Sequence, residues 1–275
     1  MNALTLTLKK QPPTDLDCST LRPDLLGTMT LEAIRALPLA CGKAKHTVAD
    51  LFEVEGQPGA QMVLRNASPR FIRVGFGMTG GSLRVEGDTG DLAGAHMSGG
   101  TLALEGNAGH RVGAAMTGGR IDVRGNVGDR LGGFLNTDPQ GMSGGVITVG
   151  GNAGDRVGER MRRGICVIHG GTGLYCGASM VAGSIVVLGE VGDGVGCNMR
   201  RGSILLAKAP GRILPTFNPS GHLKIGFLSL LFRHLAEAGI VAGLADRFGT
   251  RCLRYAGDLG RGGKGEIVVL EPKGA

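Results

Sequence analysis

The 275-residue chain contains no tryptophan and only two tyrosine and eight phenylalanine residues. Proteins that stack nucleic-acid bases or sugar rings use such side chains as platforms, so their scarcity argues against both kinds of ligand. The chain also lacks a run of about 18 apolar residues, and its first ten residues, MNALTLTLKK, contain no apolar signal-peptide region. We therefore expect a cytoplasmic protein that makes no membrane contact.

The chain has no surplus of charge in its middle. The net charge is +7, but residues 78–211 carry 12 basic and 11 acidic side chains, so the excess lies mostly near the termini. A nucleic-acid-binding protein more often shows a dense basic face with interleaved aromatics. We therefore expect no nucleic-acid partner.

A repeat organises residues 78–211. It begins MTGGSLRVEGDTGDLAGAH at Met78 and restarts every 19 residues, except for one step of 26 between Met116 and Met142. A constant period of this length is typical of proteins built from stacked repeats. The longer step predicts a seven-residue insertion, near residues 135–141, that leaves the register of later repeats intact.

Each repeat position has a consistent chemical character. The fourth and thirteenth positions are always glycine, which indicates corners with positive φ or places too crowded for a Cβ. Positions one, six, eight and sixteen are methionine or another apolar residue, with cysteine at Cys166 and Cys176, so we predict that they point inward. Both cysteines should then be buried free thiols.

A single repeat is too short to bury its own apolar residues, so the repeats must stack. We predict an all-β fold, a right-handed single-stranded parallel β-helix with strands about 4.8 Å apart. The right-handed form is favoured because crossovers are generally right-handed and because left-handed β-helices follow periods that are multiples of six.

The predicted organisation has three parts. Residues 1–77 form an N-terminal lead-in and cap, with a strand at Leu4–Leu8 and a short helix that Thr30 caps. Residues 78–215 form the β-helix of seven repeats. Residues 216–275 form a C-terminal cap, in which a helix from about 226 to 238 plugs the open end and a strand follows from residue 264.

Two repeats depart from the pattern at positions two and three. Arginine pairs stand there, Arg162 with Arg163 and Arg200 with Arg201, separated by one repeat that carries Val181 and Ala182. The two pairs lie two repeats apart, about 10 Å along one corner, and their four guanidinium groups predict a clamp for carboxylate or phosphate. A solvated patch and a salt-bridge site for another subunit are the alternatives.

A second row of arginines falls at position fifteen, in Arg111, Arg130 and Arg156. Position fourteen supplies Asp91, Asp129, Asp155 and Asp193. We expect the two rows to neutralise one another as a solvated ion-pair ladder of small energetic value. The arginine row is also a weaker candidate for binding an anionic ligand.

No catalytic or metal-binding constellation is apparent. Cys166, His169 and Cys176 do not have zinc-site spacing. Asp129 and Asp155 each have an arginine neighbour, and nothing marks either as a general acid. GRGGKG at residues 260–265 lacks the spacing of a phosphate-binding loop. We therefore expect neither catalytic residues nor a metal.

Besides the repeat, the chain contains the arginine variants MRRGIC and MRRGSI, the lead-in LPLACGKAKHTVADLFEVEG and the tail RYAGDLGRGGKGEIVV. Together these sequences closely resemble the C subunit of formylmethanofuran dehydrogenase. A more distant resemblance, limited to the glycine repeat, is to the structural C-terminal β-helix domain of the glutamate synthase large subunit. The resemblance implies a non-catalytic subunit of a one-carbon enzyme complex. Because no extra domain is appended, the bacterial formyltransferase/hydrolase complex is favoured over the redox-active archaeal one.

The resemblance also implies partners and a carrier. The partners are an amidohydrolase-like subunit that releases formate, a formyltransferase subunit, and a molybdopterin-enzyme-like subunit with or without its metal centre. The carrier, a methanofuran-type cofactor with a polyglutamyl arm, exchanges formyl groups with tetrahydromethanopterin. Our hypothesis is a scaffold that binds no prosthetic group and tethers this arm through the arginine pairs. A purely architectural subunit and a polysaccharide-active β-helix protein are the alternatives.

Overall fold

The computed structural model describes residues 3–274 and shows a mostly β protein. Its strands are β1 (Ala3–Leu8), β2 (Leu16–Asp17), β3 (Pro38–Cys41), β4 (Ala44–Thr47), β5 (Phe52–Glu55), β6 (Gln57–Ala67), β7 (Phe71–Ile72), β8 (Ser82–Gly87), β9 (Thr101–Leu104), β10 (Arg120–Val123), β11 (Ser143–Val149), β12 (Arg163–Ile168), β13 (Ser184–Val187), β14 (Arg201–Leu206), β15 (Asn218–Lys224), β16 (Phe248–Gly257) and β17 (Lys264–Pro272). Its helices are α1 (Pro23–Leu26), α2 (Leu31–Arg35), α3 (Val48–Leu51), α4 (Phe227–Glu237) and α5 (Leu244–Arg247). The predictions of a mostly β chain and of a C-terminal helix and strand are confirmed.

One large sheet dominates the structure. Its order is β15-β16-β17-β14-β13-β12-β11-β10-β9-β8-β6-β1-β5, and neighbouring strands run parallel from β17 to β1. A smaller sheet has the order β4-β3-β2-β7. The strands β8 to β14 each belong to one repeat, so each repeat adds one parallel strand.

The repeat register is maintained across the large sheet. The residues at position six are direct partners in the ladder, in the order Leu83, Leu102, Ile121, Ile147, Cys166, Ile185 and Ile204. A second parallel ladder of single bridges joins Thr89, Ala108, Val127, Ala153, Thr172 and Val191. Ile121 pairs with Ile147 in spite of the 26-residue step, so the insertion leaves the register intact, as predicted.

The predicted inward positions form a continuous core. Residues at positions one, six and eight are no more than 3% exposed in all seven repeats. Position sixteen is equally buried in six repeats, and Leu214 in the seventh is half-buried against the same core. The apolar periodicity therefore identified the inward face correctly.

The glycine columns serve two purposes. The fourth-position glycines have φ between +78° and +104°, which residues with a Cβ rarely adopt. At the thirteenth position close approach dominates, since a Cβ on Gly173 would lie 2.0 Å from Asp155 Oδ1 of the preceding repeat. Gly211 is different, because a Cβ there would meet no atom within 4 Å.

Helix α4 lies elsewhere than predicted. Its buried residues Leu228, Leu231, Phe232 and Leu235 belong to a cluster with the outward-facing side chains of the sheet, not with the inner core. The reason is that position seven becomes apolar in the later repeats, as Val167, Val186 and Leu205, so the outer sheet face needs a cover. Instead of the helix, Phe217 joins the inner core near the last repeat.

The N-terminal elements match their predicted residues. In β1 the residues Leu4, Leu6 and Leu8 are buried in alternation. The Thr30 side chain accepts a hydrogen bond from the Ala33 N–H at the start of α2. The long strand β6 lies between β1 and β8 and carries the parallel sheet into the lead-in. No helix within residues 3–274 has the length and apolar character needed to span a membrane.

The buried cysteines lead to a labelling prediction. Cys166 and Cys176 are free and fully buried, and burial raises the pKa of each thiol to about 12. Because the thiolate is the reactive form, both stay protonated and unreactive at pH 8. We expect a maleimide to modify the half-buried Cys197 but to reach the other two only in urea, as measured by peptide mass spectrometry. Equal labelling of all three in the native protein would contradict their burial.

Candidate anion-binding site

The structure brings the two predicted arginine pairs together. Arg163 begins β12 and Arg201 begins β14, at the same end of strands that are separated only by β13. Arg162 and Arg200 immediately precede them, and all four side chains are exposed. A cavity of about 630 Å³ is lined by Gln140, Ser143, Arg162, Arg163, Val181, Ala182, Arg200 and Arg201.

An adjoining cavity adds two arginines that the sequence analysis missed. It has a volume of about 460 Å³ and is lined by Pro139, Gln140, Arg160, Arg162, Ser179, Val181, Asn198, Arg200 and Arg261. We call the two cavities together the basic groove. Arg160 could have been noticed beside Met161, whereas Arg261 reaches the groove only because the tail returns next to β14 as β17.

The tail loop is held against the groove by a buried carboxylate. Asp258 is 6% exposed. Its Oδ2 accepts the Asn198 N–H at 3.0 Å and its Oδ1 accepts the Gly260 N–H at 3.0 Å. Arg261 Nε then donates to Asn198 Oδ1 at 3.3 Å. On the next strand Lys264 is the ladder partner of Arg201, which places a further cation at this end.

The insertion contributes to the wall of the groove. Gly141 N–H donates to the Arg160 carbonyl at 3.0 Å. The Gln140 side chain accepts a hydrogen bond from Arg162 Nη1 at 2.9 Å. The Arg160 guanidinium lies 4.2 Å from the Phe134 ring centroid, close enough for a cation–π interaction. Two residues of the insertion, Pro139 and Gln140, therefore line the groove.

The charges in the basic groove are not neutralised within the chain. Among residues 3–274 no aspartate or glutamate lines either cavity. Within the same residues, Arg163, Arg200 and Arg201 form no ion pair. A concave surface lined by cations attracts anions from solution. The geometry suits a ligand with several carboxylate or phosphate groups.

The arginine row at position fifteen is arranged differently from our prediction. Arg130 Nε and Arg156 Nη1 pair with the buried Glu159, at 3.2 and 2.8 Å, and not with the aspartates. The carboxylates of Asp129 and Asp155 instead accept backbone N–H groups of the following repeat, at 2.9 and 2.7 Å. The expected ladder of ion pairs between the two rows was therefore wrong, since within residues 3–274 no aspartate of one row forms an ion pair with an arginine of the other.

This row lies apart from the basic groove. It lines a separate cavity of about 310 Å³ with Asp91, His110, Arg111, Asp129, Arg130, Asp155 and Arg156. Because carboxylates alternate with guanidinium groups there, it is less suited to a polyanion. No group of three or more His, Cys, Asp or Glu residues within 3–274 could hold a metal ion.

Comparison with known proteins first gives the class. The family model described as GXGXG motif matches residues 59–221, which include all seven repeats up to residue 211. The C subunit of tungsten-containing formylmethanofuran dehydrogenase 2 from Methanothermobacter marburgensis is 33% identical over 100 residues, or 34% of this chain and 37% of that protein. The chain therefore belongs to the class of proteins with the GXGXG glycine repeat.

The particular family follows from longer matches. The C subunit of the formyltransferase/hydrolase complex Fhc from Methylorubrum extorquens is 49% identical over 265 residues, covering 96% of this chain and 98% of that protein. A chain in the crystal structure of the formyltransferase/hydrolase complex FhcABCD from Methylorubrum extorquens, in complex with methylofuran, superposes with a TM-score of 0.89 and 35% identity, covering 96% and 98% of the two chains. The chain belongs to the family of the formyltransferase/hydrolase complex C subunit, which is related to the C subunit of formylmethanofuran dehydrogenase.

Proposed function

We propose that this chain is a non-catalytic scaffold subunit of a cytoplasmic formyltransferase/hydrolase complex, and that its basic groove tethers the polyglutamyl arm of a methanofuran-type carrier. The observation that carries the proposal is the convergence of arginines from three repeats and the tail on a groove that no aspartate or glutamate of residues 3–274 lines. The related crystal structure contains methylofuran, a methanofuran-type carrier, in a complex of the same family.

The scaffold role rests on the regularity of the fold. We infer that the repeats form a right-handed parallel β-helix, because two parallel ladders run the length of the repeat region and crossovers between parallel strands are right-handed as a rule. Such a structure has one continuous core, in which each repeat packs on its neighbours. It would hold neighbouring subunits at fixed positions while the carrier arm moves between them.

The groove chemistry fits a polyglutamyl arm. Each glutamate contributes a carboxylate, and guanidinium groups bind carboxylates through two parallel hydrogen bonds. Arg162 and Arg200 stand two strands apart, about 10 Å, and Lys264 extends the charged surface by about one further strand. Several carboxylates of one flexible chain can therefore be bound at once, and the furan end that carries the formyl group stays free.

Chemistry on the formyl group is assigned to other subunits. In the proposed complex an amidohydrolase-like subunit releases formate, a formyltransferase subunit exchanges the group with tetrahydromethanopterin, and the assembly also includes a molybdopterin-enzyme-like subunit. This chain contributes binding, orientation and distance. The architectural alternative, in which the groove binds only another subunit, makes the opposite prediction for carrier affinity.

Co-purification tests the proposal. We expect the tagged full-length chain, purified from its own cells at low salt, to bring an amidohydrolase-like and a formyltransferase subunit with it. Formyl transfer and formate release should both require the assembled eluate, and the chain alone should catalyse neither. Elution of the chain by itself, or turnover by the isolated chain, would contradict the scaffold role.

A further inference from the structure

One repeat interrupts the charged rows at positions fourteen and fifteen with two exposed apolar side chains. Leu174 stands where neighbouring repeats have Asp155 and Asp193, and Tyr175 follows Arg156 in the arginine row. Leu174 is 44% exposed and Tyr175 is 42% exposed. Nothing in the core requires these residues, because position sixteen, occupied by Cys176, supplies the buried side chain of this segment.

The Tyr175 ring has contacts with both neighbouring repeats. The Arg156 guanidinium lies 5.4 Å from its centroid on one side. On the other side is Gly194 of the next repeat, where a Cβ would come within 2.6 Å of the ring. The backbone of this segment is fixed as well, since Leu174 N–H donates to Asp155 Oδ1 at 2.7 Å. A fixed aromatic side chain loses little entropy on binding, which is typical of residues that dominate protein interfaces.

A depression in the surface lies beside Leu174 and Tyr175. It has a volume of about 580 Å³ and is lined by Leu174, Glu190, Val191, Gly192, Asp193, Lys208, Ala209 and Gly211. Its apolar part lies between Leu174, Val191 and Ala209. Its rim is acidic, because the lining contains two carboxylates, Glu190 and Asp193, and one cation, Lys208, which pairs with Glu190 at 3.5 Å. Within residues 3–274 the Asp193 carboxylate has no hydrogen bond or ion pair.

We propose that Leu174, Tyr175 and this depression form the docking site for another protein subunit of the complex, which inserts an aliphatic side chain next to a basic one. The aliphatic side chain fills the depression against Leu174, and the basic side chain pairs with Asp193. Apolar anchors with a complementary charge at the rim are how stable interfaces are built. This inference rests on the proposed function for the existence of the complex, but it concerns a surface separate from the basic groove.

The test compares two exposed leucines in the assembled complex. Leu174→Asp is expected to reduce the recovery of one co-expressed subunit at least ten-fold, because it places a charge in an apolar contact. Leu230→Asp is the matched control, since Leu230 on α4 is 60% exposed but lies in neither the groove nor the depression. Both variants should keep the melting temperature of the unmodified chain, since both side chains face solvent. A photo-crosslinking amino acid at position 175 should attach to the same subunit.

The outcomes separate the two proposals. If the unmodified chain recovers no other subunit, the proposed function fails and this interface fails with it. If the unmodified chain recovers its partners and Leu174→Asp recovers them equally, the docking site is wrong and the proposed function stands. If the purified chain alone forms dimers that Leu174→Asp dissociates, the surface binds a second copy and the inference of another subunit is overturned.

Discussion

Reversing the charge of Arg162 and Arg200 together is expected to weaken binding of a polyglutamylated carrier by at least about 100-fold. Both residues line both cavities of the basic groove, and no aspartate or glutamate within residues 3–274 lines either cavity. Hydrogen bonds to charged groups contribute about 1.5–3 kcal/mol each, so losing two of them costs roughly two to four orders of magnitude in affinity. The new glutamates add repulsion to that loss.

Isothermal titration of the assembled complex with the carrier, or with a poly-γ-glutamate peptide as a probe of the arm alone, measures this effect. Arg162→Glu/Arg200→Glu changes the net charge by the same amount as Lys43→Glu/Lys45→Glu on the exposed β3–β4 hairpin, which serves as the control. Equal weakening by both variants would show that overall charge, not the groove, attracts the arm. Binding should also weaken as salt rises from 0.1 to 1 M, because the Debye length falls from about 10 to 3 Å.

The arginine row at position fifteen is expected to contribute less to carrier binding than the basic groove. Arg130 and Arg156 already share Glu159, which is 7% exposed, so one of their two positive charges is compensated within the chain. Assembly should also remain intact in the groove variants if the arm is the ligand. Loss of a subunit with unchanged affinity for the carrier would instead favour the architectural alternative.

The repeat made much of the fold predictable, because the inward-facing residues of the core occur at fixed positions of each repeat. Ile121 and Ile147 illustrate this, since their pairing across the insertion follows from regaining the pattern at Met142. The same regularity predicts that Arg162 and Arg200 lie near one another, because they occupy the same position in repeats two steps apart. Periodicity therefore determined both the core and the centre of the candidate site.

The periodicity could not predict contacts between segments that are far apart in the sequence. Arg261 enters the groove because β17 pairs with β14 across more than 50 residues, and no local pattern specifies that partner. Helix α4 packs on the outward-facing residues of the sheet, which include Val186 and Leu205. In the sequence these two look like ordinary strand residues, so they do not indicate where the helix lies. Glu159 pairs with two arginines from a position where three other repeats have alanine, and only the structure reveals those partners.

The glycine columns imply a large effect on stability at one position. Gly145→Val is expected to lower the free energy of unfolding by about 4 kcal/mol, because Gly145 has φ of +86° and its Cβ would lie 2.6 Å from the Gly119 carbonyl oxygen. A β-branched residue is strained by this φ and also forces adjacent repeats apart. For a chain of this length the melting temperature should fall by roughly 8–16 °C, measurable by circular dichroism.

Gly211→Val is the matched control, since Gly211 occupies a glycine position of the repeat pattern but has open space around its Cβ and no left-handed φ. Its free energy of unfolding should change by no more than about 0.5 kcal/mol. Because each repeat is hydrogen-bonded to the next, a clash at Gly145 acts on the interface of two repeats in the middle of the array. Equal destabilisation by the two variants would mean that the positive φ and the close approach of stacked repeats at Gly145 do not determine the loss, because the lower flexibility of the unfolded chain stabilises both variants.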